Sequence, residues 1–349
     1  MKTYIRFLML LALFATLTAP VHAADGPDLE RALEWLLTNQ QDDGGFTTGF
    51  TEGSDLGATV DVILAAVAVG DDPRMWEPSP LDYLRSQVDA GAVTDAAGWS
   101  RVVLGAIALN ADPRDLGGVD AVSALLDTQD SDTGQFGASL FAHAYAMLAL
   151  HNADVDLTQS AVNLLLETQT DDGSWSVNVG DTVDTNTTAL AVQALVAAGE
   201  MEAAQRALPY YRAMQNADGG FPWQKPSDFG TETDANSTAV VVQALTALDA
   251  PLSDWAAEDG TPREALAALQ ETASGGFRWQ AAIPGPNVLA TAQAVQALAG
   301  MNLTEITTSD TIQGAENIQL PESGGFVFGG FLILAGLGAL LAGVTLRRS

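Results

Sequence analysis

The chain has 349 residues, 44 acidic against 14 basic side chains, a formal net charge of −30 and no cysteine. That charge argues against nucleic-acid binding, which needs a basic face for phosphate contacts; the missing thiols exclude disulfides, zinc–thiolate sites and cysteine nucleophiles. With 47% hydrophobic and 17% charged residues, the composition is that of a packed globular protein and not of a disordered one.

The acids are unequal in kind. The sequence holds 30 Asp against 14 Glu, and 12 Arg against two Lys, Lys2 and Lys225. Such a surface stays soluble in salt and attracts cations, and its ordinary meaning is a solvated shell. Residues 1–23 read as a secretory signal peptide. Lys2 and Arg6 make the basic start, Phe7 to Leu17 the apolar run, and Val21-His22-Ala23 a cleavage site. The run is too short to span a bilayer.

A repeat domain is expected over residues 24–302. A Leu or Tyr is followed four residues later by Gln, then by Gly-x-aromatic. The copies are Leu36-Gln40-Gly44-Phe46, Leu125-Gln129-Gly134-Phe136, Leu165-Gln169-Gly173-Trp175, Tyr211-Gln215-Gly219-Phe221 and Leu266-Gln270-Gly275-Phe277. A degenerate copy holds Tyr83, Gln87 and, after an insertion, Gly98 and Trp99. Each copy predicts an amphipathic helix, a glycine turn, and a second helix that is apolar nearly all round, as in Ala189 to Leu195. The polar-faced helices are therefore expected to form an outer ring and the apolar ones an inner ring.

The inner helices open alike. Asp184-Thr185-Asn186-Thr187-Thr188 and Asp234-Ala235-Asn236-Ser237-Thr238 are near-copies whose short polar side chains cap helix starts. The inner segments of three repeats each carry one late glutamine (Gln193, Gln243, Gln296), whose ordinary reading is a helix-to-helix hydrogen bond. His143 and His151 lie near the third inner helix and read as packed side chains. The patterns Asn186-Thr-Thr, Asn236-Ser-Thr and Asn302-Leu-Thr match glycosylation acceptors, but the first two are explained by repetition of the caps.

The Gln-x-x-x-Gly-x-aromatic repeat resembles the QW motif of squalene cyclases. With the capped inner helices, the body is similar to the α/α-toroid family of terpenoid cyclases, protein prenyltransferase β subunits and transcobalamin-like proteins. The resemblance implies an all-α fold of six helical hairpins closed into an α6/α6 barrel, with inner-helix starts and turns around one mouth. The enzyme signatures of those relatives are missing from this sequence. No Asp-x-Asp-Asp acid segment occurs, and a prenyltransferase zinc site lacks its cysteine. No catalytic residue, metal site or cofactor is named on these grounds.

The candidate ligand-binding residues are those placed at the mouth: Asp184, Asn186, Asp234, Asn236 and Asn287, with Trp223 and Trp279, each two residues beyond a repeat aromatic. Asp61 joins them because a carboxylate on an apolar helix is costly unless it is paired or faces a cavity. For Asp and Asn at these positions, capping alone is the simpler reading.

Residues 303–325 read as a linker. Within it Leu320-Pro321-Glu322-Ser323-Gly324 resembles a sortase sorting signal of the Leu-Pro-x-Thr-Gly type, with Ser323 in the threonine position. Residues 326–346 carry no charge and are long enough to cross a membrane; residues 347–349 follow as a basic cytoplasmic tail. Cell-wall linkage through a sortase and simple membrane anchoring both remain open. Three functions are carried forward: ligand or partner capture at the mouth of an exported, surface-anchored ring; a divergent cyclase-like or carbohydrate-active enzyme using cavity carboxylates; and a structural display module.

Overall fold

The computed structural model describes residues 26–48, 53–228, 230–306 and 308. The expected signal peptide, sorting motif and C-terminal apolar segment lie outside these residues. Among the described residues there is no β-strand, only isolated bridges, and no helix is long and apolar enough to cross a membrane.

Helices alternate between two layers. The inner layer is α2 (Leu56–Ala68), α4 (Ala96–Ala108), α6 (Leu140–Asn152), α8 (Thr185–Ala197), α11 (Ala235–Ala247) and α13 (Val288–Leu298). The outer layer is α1 (Leu29–Leu37), α3 (Pro80–Asp89), α5 (Ala121–Leu126), α7 (Gln159–Thr168), the broken pair α9 (Met201–Gln205) and α10 (Leu208–Met214), and α12 (Pro262–Ala268). Each inner helix packs on the next, and α13 packs back on α2, so the ring closes. Closure leaves no terminal repeat with an unpaired apolar face.

Cap chemistry sets where the inner helices begin. Asp55, Asp95, Ser139, Asp184, Asp234 and Asn287 each accept a hydrogen bond from the backbone N–H three residues on, at 2.7–3.1 Å. Satisfying these amides inside the protein is worth about 1 kcal/mol per cap. The fourth residue after the cap then holds the repeat aromatic. Thr59, Thr188, Thr238 and Thr291 accept the backbone N–H of Phe46, Trp175, Phe221 and Phe277 at 2.8–3.0 Å. In α6 His143 takes the threonine's place, its Nδ1 accepting the Phe136 N–H at 3.0 Å. Its Nε2 therefore carries the proton and donates to the Ala161 carbonyl at 3.0 Å. His143 is buried and packed, as the sequence reading favoured.

The repeated glutamine is an inter-repeat staple. Gln169 Nε2 donates to the carbonyl of its own turn glycine, Gly173, at 2.9 Å and to Ala203 of the next repeat at 3.0 Å. Gln40 and Gln215 do the same with Pro78 and Trp255. Gln129 reaches the Thr158 hydroxyl, and Gln270 closes the circle on the Asp28 carbonyl. One copy departs from the pattern. Among the described residues the Gln87 side chain reaches only the neighbouring Ser86 hydroxyl. Gly98 and Trp99, which the sequence reading assigned to that repeat's turn, lie inside α4. The cap at Asp95 starts the helix before them, and Gly98 supplies the capped amide.

The end of the ring opposite the caps is floored by the chain after α13. Leu303 and Ile306 are buried in the core. Gln193 Oε1 accepts the Leu303 N–H at 2.8 Å, and the Asn152 side chain brackets the segment by donating to Leu303 O and accepting from Ile306 N. The packed ring thus continues to Ile306, four residues past the linker boundary read from the sequence. Gln243 and Gln296 make the expected helix-to-helix bond, at 3.1 Å.

Candidate functional site

The capped ends of the inner helices open into a cavity of about 380 Å³. Of the sequence-predicted residues, Asn186, Trp223, Asp234, Asn236 and Trp279 line it, together with Glu232 and Gln280. The two tryptophans arrive by the same device. After each repeat aromatic the chain runs on for two residues and its carbonyl receives the first amide of the preceding inner helix: Trp223 O takes Thr185 N at 3.0 Å and Trp279 O takes Ala235 N at 2.8 Å. Backbone bonding thus holds both indoles at the mouth.

Asp184 and Asp234 are almost fully buried. Burial pushes both carboxyls up, Asp234 to about 6, against the hydrogen bonds from Thr187 and Ser237 that favour their charged forms. Asp184 caps α8 and does not line the mouth cavity. Asn287 likewise caps α13, and its amide reaches the Thr48 carbonyl at 3.4 Å.

Below the mouth a second cavity of about 90 Å³ lies on the ring axis, with Asn186 lining both. All six inner helices contribute to this shaft, and a register explains how. The sixth residue after each cap points to the axis: Asp61, Arg101, Tyr145, Leu190, Val240 and Gln293. The wheel is polar over α13, α2, α4 and α6 and apolar over α8 and α11. A hydrogen-bond line joins mouth to shaft, because Asn236 Nδ2 donates to Gln293 Oε1 at 2.8 Å and Gln293 Nε2 to Asp61 Oδ2 at 3.0 Å. The Asp61 backbone carbonyl accepts from Gln296 at 2.8 Å.

Asp61 therefore faces a cavity and is hydrogen-bonded. Its carboxyl is raised to about 6 by burial, partly countered by the Arg101 charge and the Gln293 bond. Arg101 lies over the Tyr145 ring at 5.5 Å, and burial with the nearby Asp61 raises the Tyr145 phenol above its ordinary range. Arg101, Tyr145 and Gln293 are functional candidates that the sequence reading missed. Counting six from each cap finds all three.

Among the described residues no cluster of three or more metal-ligating side chains occurs. The residues present can hold a small ligand between two indoles and amide and carboxyl groups, and can present one poised carboxyl, Asp61, on the axis.

The family pattern described as the prenyltransferase alpha-alpha toroid domain matches residues 2–100, 127–256 and 222–331. The chain belongs to this toroid family. Comparison with curated proteins returns no match. Among solved structures, the toroid is similar to the Candida albicans protein geranylgeranyltransferase-I, with a TM-score of 0.62 and 12% identity over 84% of this chain and 99% of that one. It is also similar to the type II terpene cyclase MstE from Scytonema, with a TM-score of 0.56 and 15% identity over 78% and 96%. The unsaturated glucuronyl hydrolase from Bacillus sp. GL1 gives a TM-score of 0.58 and 14% identity over 78% and 94%. These likenesses establish the toroid fold, on which unrelated chemistries are built.

Proposed function

We propose that the toroid is an exported, surface-anchored protein that captures a small ligand at its mouth. The observation that carries this reading is the mouth cavity. About 380 Å³ falls inside the ordinary range of about 300–1,000 Å³ for ligand pockets, and an apolar lining with a few placed polar groups is their usual character. Two indoles offer stacking surface for a sugar or an apolar ring, and Asn186, Asn236 and Gln280 supply both donors and acceptors. The test is a titration of tryptophan emission with oligosaccharides and apolar aromatics. Trp279→Ala is expected to weaken any ligand found by about tenfold or more, the usual cost of an aromatic anchor. Undiminished binding by both Trp223→Ala and Trp279→Ala would remove the mouth from the function.

A second reading, acid catalysis at the shaft, is favoured by one observation: Asp61 is a carboxyl raised toward neutrality beside a cavity. The shaft, at about 90 Å³, admits only a fragment of a substrate as it stands. If an activity is found, Asp61→Asn should abolish turnover without lowering the melting temperature. Retained turnover would dismiss Asp61 as the acid.

Anchoring rests on the sequence. Replacing Leu320 or Pro321 is expected to release the protein from the wall fraction if the sorting motif is used. Unchanged wall attachment would instead leave the apolar segment 326–346 as the anchor.

A further inference from the structure

The basic side chains of the ring are few, and nearly all have structural duties. Arg31, Arg212, Lys225 and Arg263 donate to backbone carbonyls of other segments, and Arg206 donates to the staple glutamine Gln169. Arg101 differs. It is half-buried on the axis, and among the described residues its guanidinium makes no hydrogen bond; its neighbours there are the Tyr145 ring and the Asp61 charge. None of its nitrogens is sealed from solvent, so its five donors, fixed in a planar fork, are free to meet a ligand.

Gly57 stands one turn above Asp61 and lets the guanidinium approach its backbone: a Cβ there would come within 2.9 Å of Arg101 Nε and 3.1 Å of Asp55 Oδ1. Gly57, Ala97 and Gly98 open a further pocket of about 270 Å³ that also reaches Arg101, but the cap carboxylates Asp55 and Asp95 line it too, which leaves the shaft as the side open to an anion. Arg101 therefore borders free volume on two sides: that pocket and the shaft it shares with Tyr145 and Asp61.

We infer that the shaft is a receptor for the carboxylate of a small monocarboxylic acid, held by the Arg101 guanidinium with Asp61 and Tyr145 as neighbouring donors. A guanidinium takes a carboxylate through two parallel N–H···O bonds, the strongest neutral-pH recognition a side chain offers. A monoanion suits the site better than a phosphate dianion. Asp61 faces the same space and Asp55 caps its helix, so a second negative charge meets repulsion that a single one escapes when Asp61 carries its proton. The charged and titratable groups around Asp61 are Arg101 on α4, Tyr145 on α6 and Asp55 on its own helix. At the same level α8, α11 and α13 present only Leu190, Val240 and Gln293. Binding therefore tightens as the medium is acidified toward the point where Asp61 is protonated. This inference deepens the capture reading by naming the ligand's charged end, but its residues are not those of the mouth.

The test is calorimetric titration of the full-length chain with butyrate, with n-butanol and inorganic phosphate as controls, near pH 5 and about pH 8. Butyrate is expected to bind saturably and more tightly at the lower pH. Arg101→Gln is expected to cost at least about tenfold, the value of a charge-assisted pair. Asp61→Asn is expected to tighten butyrate by about tenfold near pH 8, where the native carboxylate repels it. This gain cannot come from misfolding. Equal binding of n-butanol, tighter binding of phosphate, no binding of butyrate, or an unaffected Arg101→Gln variant would each overturn the inference. Trp279→Ala keeps the two readings apart: butyrate binding that survives it supports the shaft as the site, and loss of butyrate binding in that variant would overturn the shaft assignment.

Discussion

Replacing Gly173 with alanine is expected to destabilise the ring by about 3–4 kcal/mol, from about 1–2 kcal/mol for a left-handed backbone and the rest from overpacking. Gly173 has φ +87°, and a Cβ there would collide with the backbone carbonyl of Arg206, the C-cap of α9. The turn glycines Gly44, Gly134, Gly219 and Gly275 meet the next outer helix in the same way, against Ser79, Ser160, Gly260 and Arg31. The glycine and the staple glutamine thus serve one junction. Glycine lets two repeats approach, and Gln169 bonds across the gap. Gly180 supplies the control, having φ +92° and nothing within 4 Å of its Cβ position. Its alanine variant should lose only the backbone part, about 1–2 kcal/mol. Thermal melts of the two variants measure the steric difference, with Gly173→Ala falling by about 6 °C or more at about 2–4 °C per kcal/mol. Equal melting points would mean the junction yields without cost.

Acidification from pH 7 to about 4 is expected to stabilise the protein, against the usual trend for a protein that buries a neutral histidine. His143 is held down to about 4 by burial, so its contribution is full above 6.5 and is lost as the pH falls through 4. At 1.36 kcal/mol per unit this is a loss of about 3 kcal/mol. Asp61 and Asp234 act in the opposite sense. Burial raises both to about 6 from 3.8, so their contribution is full below 3.8 and is lost as the pH rises through 6. Each is worth about 2–3 kcal/mol on the same scale, discounted for Asp61 because it reaches cavity solvent. Asp184 is raised as well. The lowered carboxyls, among them Asp120 and Asp172, come into play only below about pH 4. Two or three carboxyls therefore outweigh one imidazole. Urea unfolding at pH 7.5 and about 4.5 checks the balance. Asp234→Asn should flatten the rise and His143→Asn should steepen it. A native protein that weakens steadily over this range would show that the buried carboxyls are better solvated than their burial implies.

The ring was readable because its determinants are local and repeated. A cap, a turn glycine and an all-apolar helix recur together, and each has a short-range physical cause. The mouth tryptophans were readable for the same reason, as near-copies in Phe221-Pro222-Trp223 and Phe277-Arg278-Trp279. Where repetition decays, the reading fails. Around Gln87 the motif is degenerate, and Gly98-Trp99 mimics a turn while lying in a helix. Asp61 stood out as a charge on an apolar helix. Arg101 and Tyr145 did not, because each follows a different cap and no two polar shaft residues share a repeat-wide consensus. Their common property is a register counted from the cap, visible only once the six helices are known to face one axis. Asp184 and Asp234, in near-copied sequence contexts, both cap their helices, yet only Asp234 also lines the mouth.

The floor of the ring has a mechanical meaning. The strap that closes the shaft is held by the bonds from Asn152 and Gln193 to Leu303 and Ile306, so a pull on the chain just after Ile306 meets these bonds first. These bonds stand between that end of the chain and the helices, and they are separate from the glutamine staples that join the repeats. Loss of the strap alone would open the shaft and leave every staple in place.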